Sequence, residues 1–253
     1  MSIEQELSGL RRDPPAGHDE AVMLGTGLAD GFSTYESPIG AVVVTFNPAG
    51  VSSVDLATEG FAERFIERFG RRSIEAAAPR AWRGGIERAL ENGTPGKLPV
   101  DFRSVSGFQK SVLEQAAAIP RGEVRPYSWL ATQVGKPGAT RAVGTTMARN
   151  PVPLIVPCHR VVRADGRIGA YSLGGAQNKL ALLAVEGADP ERLEALAGRG
   201  VRFLGSGTTR IFCHPSCRHA RRIGDSHLIE FRSTRDAQNA GFRPCSVCEP
   251  ETS

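Results

Sequence analysis

Apolar and polar positions change period several times along this chain, and each change marks a predicted element. Residues 34–57 hold two β-rich runs separated by Asn47-Pro48-Ala49-Gly50, a hairpin signal. Phe61, Phe65, Ile66 and Phe69 then recur at helical spacing, so their stripe is expected in the core. Residues 78–93 predict a surface helix that stops at Gly93. From Gly107 to Gly187 the pattern is mostly helical. Phe108, Val112, Leu113 and Ala116 share one face, and Ile119-Pro120-Arg121-Gly122 closes that helix. Ser128 is expected to cap the next short helix, Gly135-Lys136-Pro137-Gly138 to turn the chain, and residues 139–150 to begin another. Two short helices joined by a glycine-bearing turn make a helix-turn-helix pattern, one that many helix pairs share. A last helix is expected over residues 176–185.

These periods suggest boundaries. Residues 1–30, polar and dotted with Gly and Pro, read as a flexible tail, and 31–100 as an N-terminal α/β support domain. Residues 101–187 form a mainly helical domain, 188–207 a linker, and 208–253 a C-terminal module. That module is too short to build a good apolar core by itself, so it calls for a metal or disulfides. With 253 residues, 40% hydrophobic and 23% charged, the chain suits a soluble globular protein. Its first residues lack the apolar core of a secretory signal, and no run approaches the ~18 apolar residues of a membrane helix. The expected setting is cytoplasmic, or nuclear in a eukaryote, with reduced thiols and no membrane partner. Nothing in the patterning asks for more than a monomer.

Net charge is +4 and unevenly spread. Residues 1–100 hold ten Lys and Arg against fourteen Asp and Glu, whereas residues 121–163 hold seven against one. Residues 201–253 hold eight against five. Clustered positive charge suits a polyanion, because each neutralised phosphate releases counterions; a solvated basic face looks the same in sequence.

The five cysteines split into one and four. Cys158 stands alone behind the apolar run Leu154–Val156 and Pro157, with His159 and Arg160 directly after it. A nearby imidazole or cation favours the thiolate and so a nucleophile, although an inert buried Cys beside a surface His has the same local sequence. Three residues separate Cys213 from Cys217, two separate Cys245 from Cys248, and twenty-seven lie between the pairs. Two close pairs brought together by a small fold make a tetrahedral thiolate site, which favours Zn2+. His214, beside Cys213, is a competing ligand, but four cysteines already close the site, and no organic cofactor is implied. The expected fold class is α+β: a small sheet-and-helix N-terminal domain, a mainly helical domain holding the helix-turn-helix, and a small zinc-binding module.

The blocks FQKSVL, IPRGEVRPYSWLA, KPGATRAVG, NPVPLIVPCHRVV, GAYSLGG and LLAVEG occur in this order from Phe108 onward, through Glu186. Together they resemble the active-site domain of the O6-alkylguanine-DNA alkyltransferases, with Pro157 to Val161 as the most specific part. The resemblance implies direct-reversal repair: an alkyl group on O6 of guanine, or on O4 of thymine, passes from double-stranded DNA to Cys158, irreversibly and once per molecule. It implies a Cys158 sulfur held deprotonated and dry at the floor of a cavity, with His159 as general base through a water and Glu186 orienting that histidine. Tyr127 corresponds to the tyrosine that donates to guanine N3, and Asn150 to the asparagine that braces the active-site turn. Arg141 corresponds to the arginine that fills the base stack while the damaged nucleotide rotates out. Tyr171 and Ser172 match the loop lining the guanine pocket, and backbone carbonyls near Cys158 and Val161 read the base edge. Arg160 counts among the DNA-binding residues. The entry SVSGFQ departs from the usual Gly-Thr-Pro approach, and the N-terminal domain matches mainly through SPIGAVVVTF.

TTRIFCHPSC, the basic run Arg218, Arg221 and Arg222, and AGFRPCSVC resemble the metal-binding domain of the adaptive-response (Ada) repair proteins. That resemblance implies Cys213, Cys217, Cys245 and Cys248 as zinc ligands, with Arg218 and Arg221 on DNA. It also makes Cys213 a second acceptor, taking methyl from a backbone methylphosphotriester. Here the module follows the alkyltransferase domain instead of preceding it, no activator domain accompanies it, and Arg210 stands where a glycine is usual. Two readings of the module stay open at this point: a second methyl acceptor, or a structural zinc knob that adds DNA affinity. A further reading of the whole chain is a lesion sensor without repair chemistry. Relatives of that kind lack the cysteine that this chain keeps at Cys158.

Overall fold

The structure, a computed structural model, describes residues 17–251. Residues 1–16 of the expected tail lie outside the described residues. The rest of that stretch is ordered into helix α1 (His18–Thr26) and the start of strand β1 (Ala29–Tyr35). Strands β1, β2 (Val42–Asn47), β3 (Gly50–Leu56) and β4 (Arg72–Glu75) form a sheet in the order β3-β2-β1-β4. The β2–β3 pair is the hairpin expected from Asn47-Pro48-Ala49-Gly50, with Asn47 opposite Gly50. Strand β1 pairs antiparallel with β2 and parallel with β4.

Helix α2 (Phe61–Phe69) buries Phe61 and Phe65, but Ile66 is 45% exposed. Phe61, Phe65 and Phe69 already occupy one stripe, and Ile66 lies about 100° around the helix from Phe65. Helix α3 (Arg80–Asn92) ends on Gly93 at φ 63, the left-handed conformation that glycine adopts most readily.

Helix α4 (Gly107–Ala117) is capped by Ser106 and Gln109 reciprocally. Helix α5 (Tyr127–Gln133), a tight turn at Pro137–Ala139 and helix α6 (Thr140–Ala148) make the helix-turn-helix. Ser128 is not the cap of α5, which begins a residue earlier, at Tyr127 behind Pro126. Its hydroxyl instead reaches Glu251 Oε2 at 3.2 Å. Strands β5 (Arg125–Pro126) and β6 (Val161–Val162) pair in parallel, fixing the entry to α5 beside the chain that leaves Cys158. Helix α7 (Gly175–Val185) completes this part. One core runs through Val44 and Val54 of the sheet, Ile86 and Leu90 of α3, Leu113 of α4, and Ile155 beside Cys158. The sheet therefore supports the reactive segment directly.

Helices α8 (Pro190–Gly198) and α9 (Thr234–Asn239) flank a second sheet. Its strands are β7 (Phe203–Ser206), β8 (Ile211–Cys213), β9 (Leu228–Phe231) and β10 (Arg243–Pro244), in the order β10-β8-β7-β9. Residues 188–207 are thus more than a linker: β7 is a central strand, and Leu196 and Val201 pack with the four cysteines. The glycines there hid the strand in sequence, but Gly205 is demanded by packing. A Cβ at that position would stand 2.6 Å from the Phe231 ring and 2.8 Å from that of Phe242. Among the described residues no helix is long and apolar enough to cross a membrane.

Candidate active site and metal centre

Cys158 opens a tight turn, Cys158–Arg160, after a buried run that folds back sharply. Leu154 has φ 71, and the Val156 N–H donates to Val152 O at 2.9 Å. A left-handed backbone at a leucine costs roughly 1–2 kcal/mol, offset here by full burial of the segment. Asn150 ties the bend from inside. Its Nδ2 donates to Val156 O at 2.8 Å and lies 3.2 Å from Cys158 Sγ, while its Oδ1 accepts the Val152 N–H at 3.1 Å.

Cys158 is 4% exposed and borders a pocket of about 230 Å³ walled by Tyr127, Gly144, Met147, Tyr171 and Ser172. Burial pushes the Cys158 thiol up, while the Asn150 amide and the charge of Lys179 pull it down less strongly. Burial thus works against the deprotonated sulfur that the resemblance implies, while Asn150 and Lys179 favour it.

His159 Nε2 lies 2.9 Å from Glu186 Oε1. A carboxylate there fixes the Nε2–H tautomer and leaves Nδ1 as the basic nitrogen; that atom is buried without a hydrogen-bond partner among the described residues. Burial lowers the His159 pKa, so the ring rests neutral. Burial alone would raise Glu186, but hydrogen bonds and charge from His159 and Arg160 outweigh it and hold the carboxyl at about 2.

Arg160, expected among the DNA-binding residues, does not face solvent. Its guanidinium is buried, donating to Glu186 Oε1 at 2.7 Å and Oε2 at 2.9 Å. It also donates to the carbonyls of Asn92, Gly93 and Ile119 at 2.6, 3.0 and 2.8 Å. The tight turn aims it inward, to close the exposed carbonyl end of α3.

Lys179 escaped the sequence reading. It is fully buried on α7, with Nζ 2.6 Å from Val161 O and 3.3 Å from Ala170 O. Burial brings its ammonium down to about 8, and the charge of Cys158 works against that fall. The available signal was a lone cation sharing the face of Leu182 and Leu183. Val161 O is thus already engaged, and Cys158 O accepts the Val161 N–H. Each carbonyl expected to read a base edge keeps only its second lone pair for that task.

Tyr127 begins α5 half-buried, and burial, then the charge of Cys158, raises its hydroxyl, so it stays a proton donor. The Tyr171 hydroxyl is buried beside the sulfur with no well-aligned protein partner among the described residues. Ser172 is exposed at the pocket rim, and Arg141 is exposed in the first turn of α6.

The sulfurs of Cys213, Cys217, Cys245 and Cys248 are buried and lie within 4.8 Å of one another. A tetrahedron with metal–sulfur bonds of ~2.3 Å places sulfurs ~3.8 Å apart, so this set closes around an ion with small shifts. Backbone N–H groups at His219 and Ala220 favour the ionised form of Cys217, and the Val247 N–H lies 3.4 Å from Cys245 Sγ. Such donors favour thiolates, and the four residues form a metal site. His214 lies outside the cluster, packed against Phe203 with ring centroids 5.4 Å apart.

A pocket of about 450 Å³ borders Cys213 and Cys245, with His219, Arg222, His227 and Arg243 around it. Arg243, two residues before Cys245, was not anticipated. Arg218 is exposed, whereas Arg221 turns back and donates through Nη1 to Gly187 O at 3.0 Å. Arg210 sits at φ 55 with its guanidinium 5.1 Å from the Phe242 ring, so the usual glycine marks a left-handed position.

Residues 107–188 match the family model described as the 6-O-methylguanine DNA methyltransferase DNA-binding domain, and residues 196–251 the metal-binding domain of Ada. The methylated-DNA–protein-cysteine methyltransferase of Mycolicibacterium paratuberculosis is 34% identical over 159 residues, 61% of this chain and 91% of that protein. Its counterpart in Methanosarcina barkeri is 35% identical over 151 residues, 56% of this chain and 89% of that one. The crystal structure of Mycobacterium tuberculosis OGT in complex with DNA aligns with a TM-score of 0.51 at 29% identity, covering 64% of this chain and 98% of that one. A third of positions identical over about nine-tenths of the relatives, on a shared fold, is decisive: the chain belongs to the methylated-DNA–protein-cysteine methyltransferase family.

Proposed function

We propose that this protein reverses DNA alkylation by moving the alkyl group from O6 of guanine to Cys158, once per molecule. It acts as a methylated-DNA–protein-cysteine S-methyltransferase on duplex DNA. The carrying observation is the pocket that brings the Cys158 sulfur, Tyr127, Tyr171 and Ser172 together under α6. A base inside a duplex cannot reach a sulfur at that depth, so the nucleotide must rotate out, at a cost of a few kcal/mol. Gly144 and Met147 of α6 line the pocket, and Arg141 projects from the same helix, placed to fill the gap in the stack.

The transfer is an in-line displacement: the bond from sulfur to the alkyl carbon forms as the bond from that carbon to O6 breaks. The thiol proton passes through one water to His159 Nδ1, and Glu186 stabilises the imidazolium that results. The Tyr127 hydroxyl donates to guanine N3 as negative charge develops on the leaving base, and the proton taken from the thiol ends on that base, leaving neutral guanine, the thioether and a neutral His159 ring. Asn150 and Lys179 favour negative charge on the sulfur in transit. The product thioether is a poor leaving group, so the protein is consumed. Incubation with a duplex holding one O6-methylguanine should add one methyl to the Cys158 peptide and restore guanine, read by mass spectrometry. Tight binding with an unmodified peptide would overturn the reading.

We also assign Zn2+ to the four cysteines, and to Cys213 a second transfer from methylphosphotriesters. When bound, the ion keeps four thiolates together with a net charge of about −2. The support is the pocket at Cys213, where Arg222 and Arg243 suit the phosphates flanking a lesion. Methylating one sulfur removes a negative charge and should raise DNA affinity. Duplex with a single methylphosphotriester should label the Cys213 peptide; no label on the zinc-loaded protein would leave the module a structural knob.

A further inference from the structure

None of the roles above uses the polar seam between the four-cysteine module and the segment leading to Tyr127. Glu123 and Arg125 lie in that segment, each 1% exposed, with Arg125 Nη2 2.6 Å from Glu123 Oε2. The other oxygen of Glu123 accepts the Arg218 N–H at 3.0 Å, one residue past Cys217. On the near side of Cys217, Ser216 Oγ accepts the Val124 N–H at 2.8 Å and donates to Val124 O at 3.1 Å. Both neighbours of one metal ligand are thus strapped to consecutive residues of the other domain.

The second cysteine pair makes matching contacts. Trp129 Nε1 donates to Glu249 O at 3.0 Å, one residue past Cys248, and Gln133 Nε2 reaches Glu249 Oε2 at 3.2 Å. The Arg125 guanidinium lies 5.6 Å from the Trp129 ring. Arg221 donates to Gly187 O, directly after Glu186.

On its other side the same segment touches the Cys158 turn. Arg125 is in register with Val161 across β5 and β6, and Tyr127 follows two residues later. Val124 packs with Val162 and Leu193 on one flank of the seam, and beside it a cavity of about 320 Å³ opens between Val124 and Pro126 on one side and Phe203 and His214 on the other. The polar contacts persist only while the ligand loops keep their shape. In a module with so small a core, the ion gives them that shape.

We propose that the metal site is a positioning device for alkyl transfer at Cys158. Through Glu123, Arg125 and Trp129, the ligand loops hold Tyr127 and the first helix of the helix-turn-helix in place. The proposal rests on the Zn2+ assignment made above. Glu123 and Arg125 are positioning residues that touch neither base nor sulfur.

The test uses the full chain with Trp82→Phe, which leaves Trp129 as the one tryptophan. Zinc content, Trp129 emission, amide exchange of residues 122–133 and single-turnover methylation of Cys158 are followed on one sample before and after chelation. One zinc per chain is expected. Its release should shift Trp129 emission to the red, speed exchange in 122–133 about tenfold or more, and slow Cys158 methylation by a similar factor. Added Zn2+ should restore all three. Glu123→Ala, with zinc still bound one to one, should reproduce the exchange and rate changes, and Glu123→Gln, which keeps one acceptor, should recover part of them. Zinc release that loosens only the module, with Trp129 and the Cys158 rate unchanged, overturns the positioning role and leaves the Zn2+ assignment standing. A purified chain without zinc overturns both.

Discussion

Arg160 clasps Glu186 with two nitrogens, at 2.7 and 2.9 Å, while the same carboxylate holds His159 at 2.9 Å. One acid thus fixes two successive residues of the reactive turn. Arg160→Met would strand a buried carboxylate and the carbonyls of Asn92, Gly93 and Ile119. Because the two side chains are only 2% and 5% exposed, the expected loss is about 3–5 kcal/mol, read from the urea midpoint. A guanidinium buried in this way has no phosphate to neutralise, so the salt dependence of DNA binding by the folded variant should match the parent. A flatter salt slope would return Arg160 to the DNA surface.

Glu186 also sets a pH dependence. Its folded pKa of about 2 lies below the ordinary carboxylate value, so ionisation favours the folded state. That stability is fully present above the unfolded value of ~4.3 and is lost as pH falls toward the folded value. Glu186→Gln should therefore be less stable than the parent at neutral pH, and its urea midpoint should fall less between about pH 5 and about pH 2. His159 behaves conversely for catalysis: its lowered pKa keeps the base free at neutral pH. The single-turnover rate should cross the usual histidine range near ~6.5 without an inflection. A clear step there would mean that the imidazole is not held neutral.

Lys179 supplies a buried positive charge that favours the ionised form of the Cys158 sulfur. Lys179→Met keeps length and apolar stem but removes the ammonium that favours negative charge on Cys158. Transfer to Cys158 should slow by roughly 10- to 100-fold, with DNA affinity unchanged. The parent should lose part of this advantage above about pH 8, where the buried ammonium gives up its proton. The variant should show no such loss. Parallel pH profiles in the two proteins would remove Lys179 from the chemistry.

What sequence made legible here was residue type at fixed spacing. Cys158, His159 and Glu186 lie in blocks whose order is specific; Cys158 lines the pocket, and His159 meets the Glu186 carboxylate. The four cysteines needed only their spacing. Facing was illegible: adjacent residues in a tight turn diverge, so Arg160 beside His159 gave no hint that it points inward. Lys179 was hidden because a single cation in an apolar helix usually snorkels to solvent, and only the tertiary fold shows two carbonyls waiting for it. Strands β1 and β7 escaped because ADGFSTY and FLGS lack a clean alternation, and Gly205 looked like a loop residue until the Phe231 and Phe242 rings were seen against it. The usual glycine at the Arg210 position became intelligible only as a left-handed φ.

Arg141 separates two ideas about α6. If it fills the place of an extruded base, its value exists only where there is a stack to fill. Arg141→Ala should then slow transfer from O6-methylguanine in duplex DNA by about tenfold or more, yet alter transfer from single-stranded DNA much less, since an unpaired base is already free to enter the pocket. A merely solvated helix arginine would act through phosphate attraction instead. In that case affinity would fall by a similar factor on both substrates and the salt slope would drop by about one. The ratio of single-turnover rates on the two DNAs, compared between parent and variant at fixed salt, distinguishes these outcomes. An unchanged ratio would assign the unstacking to other groups on α6 or to the rim at Ser172.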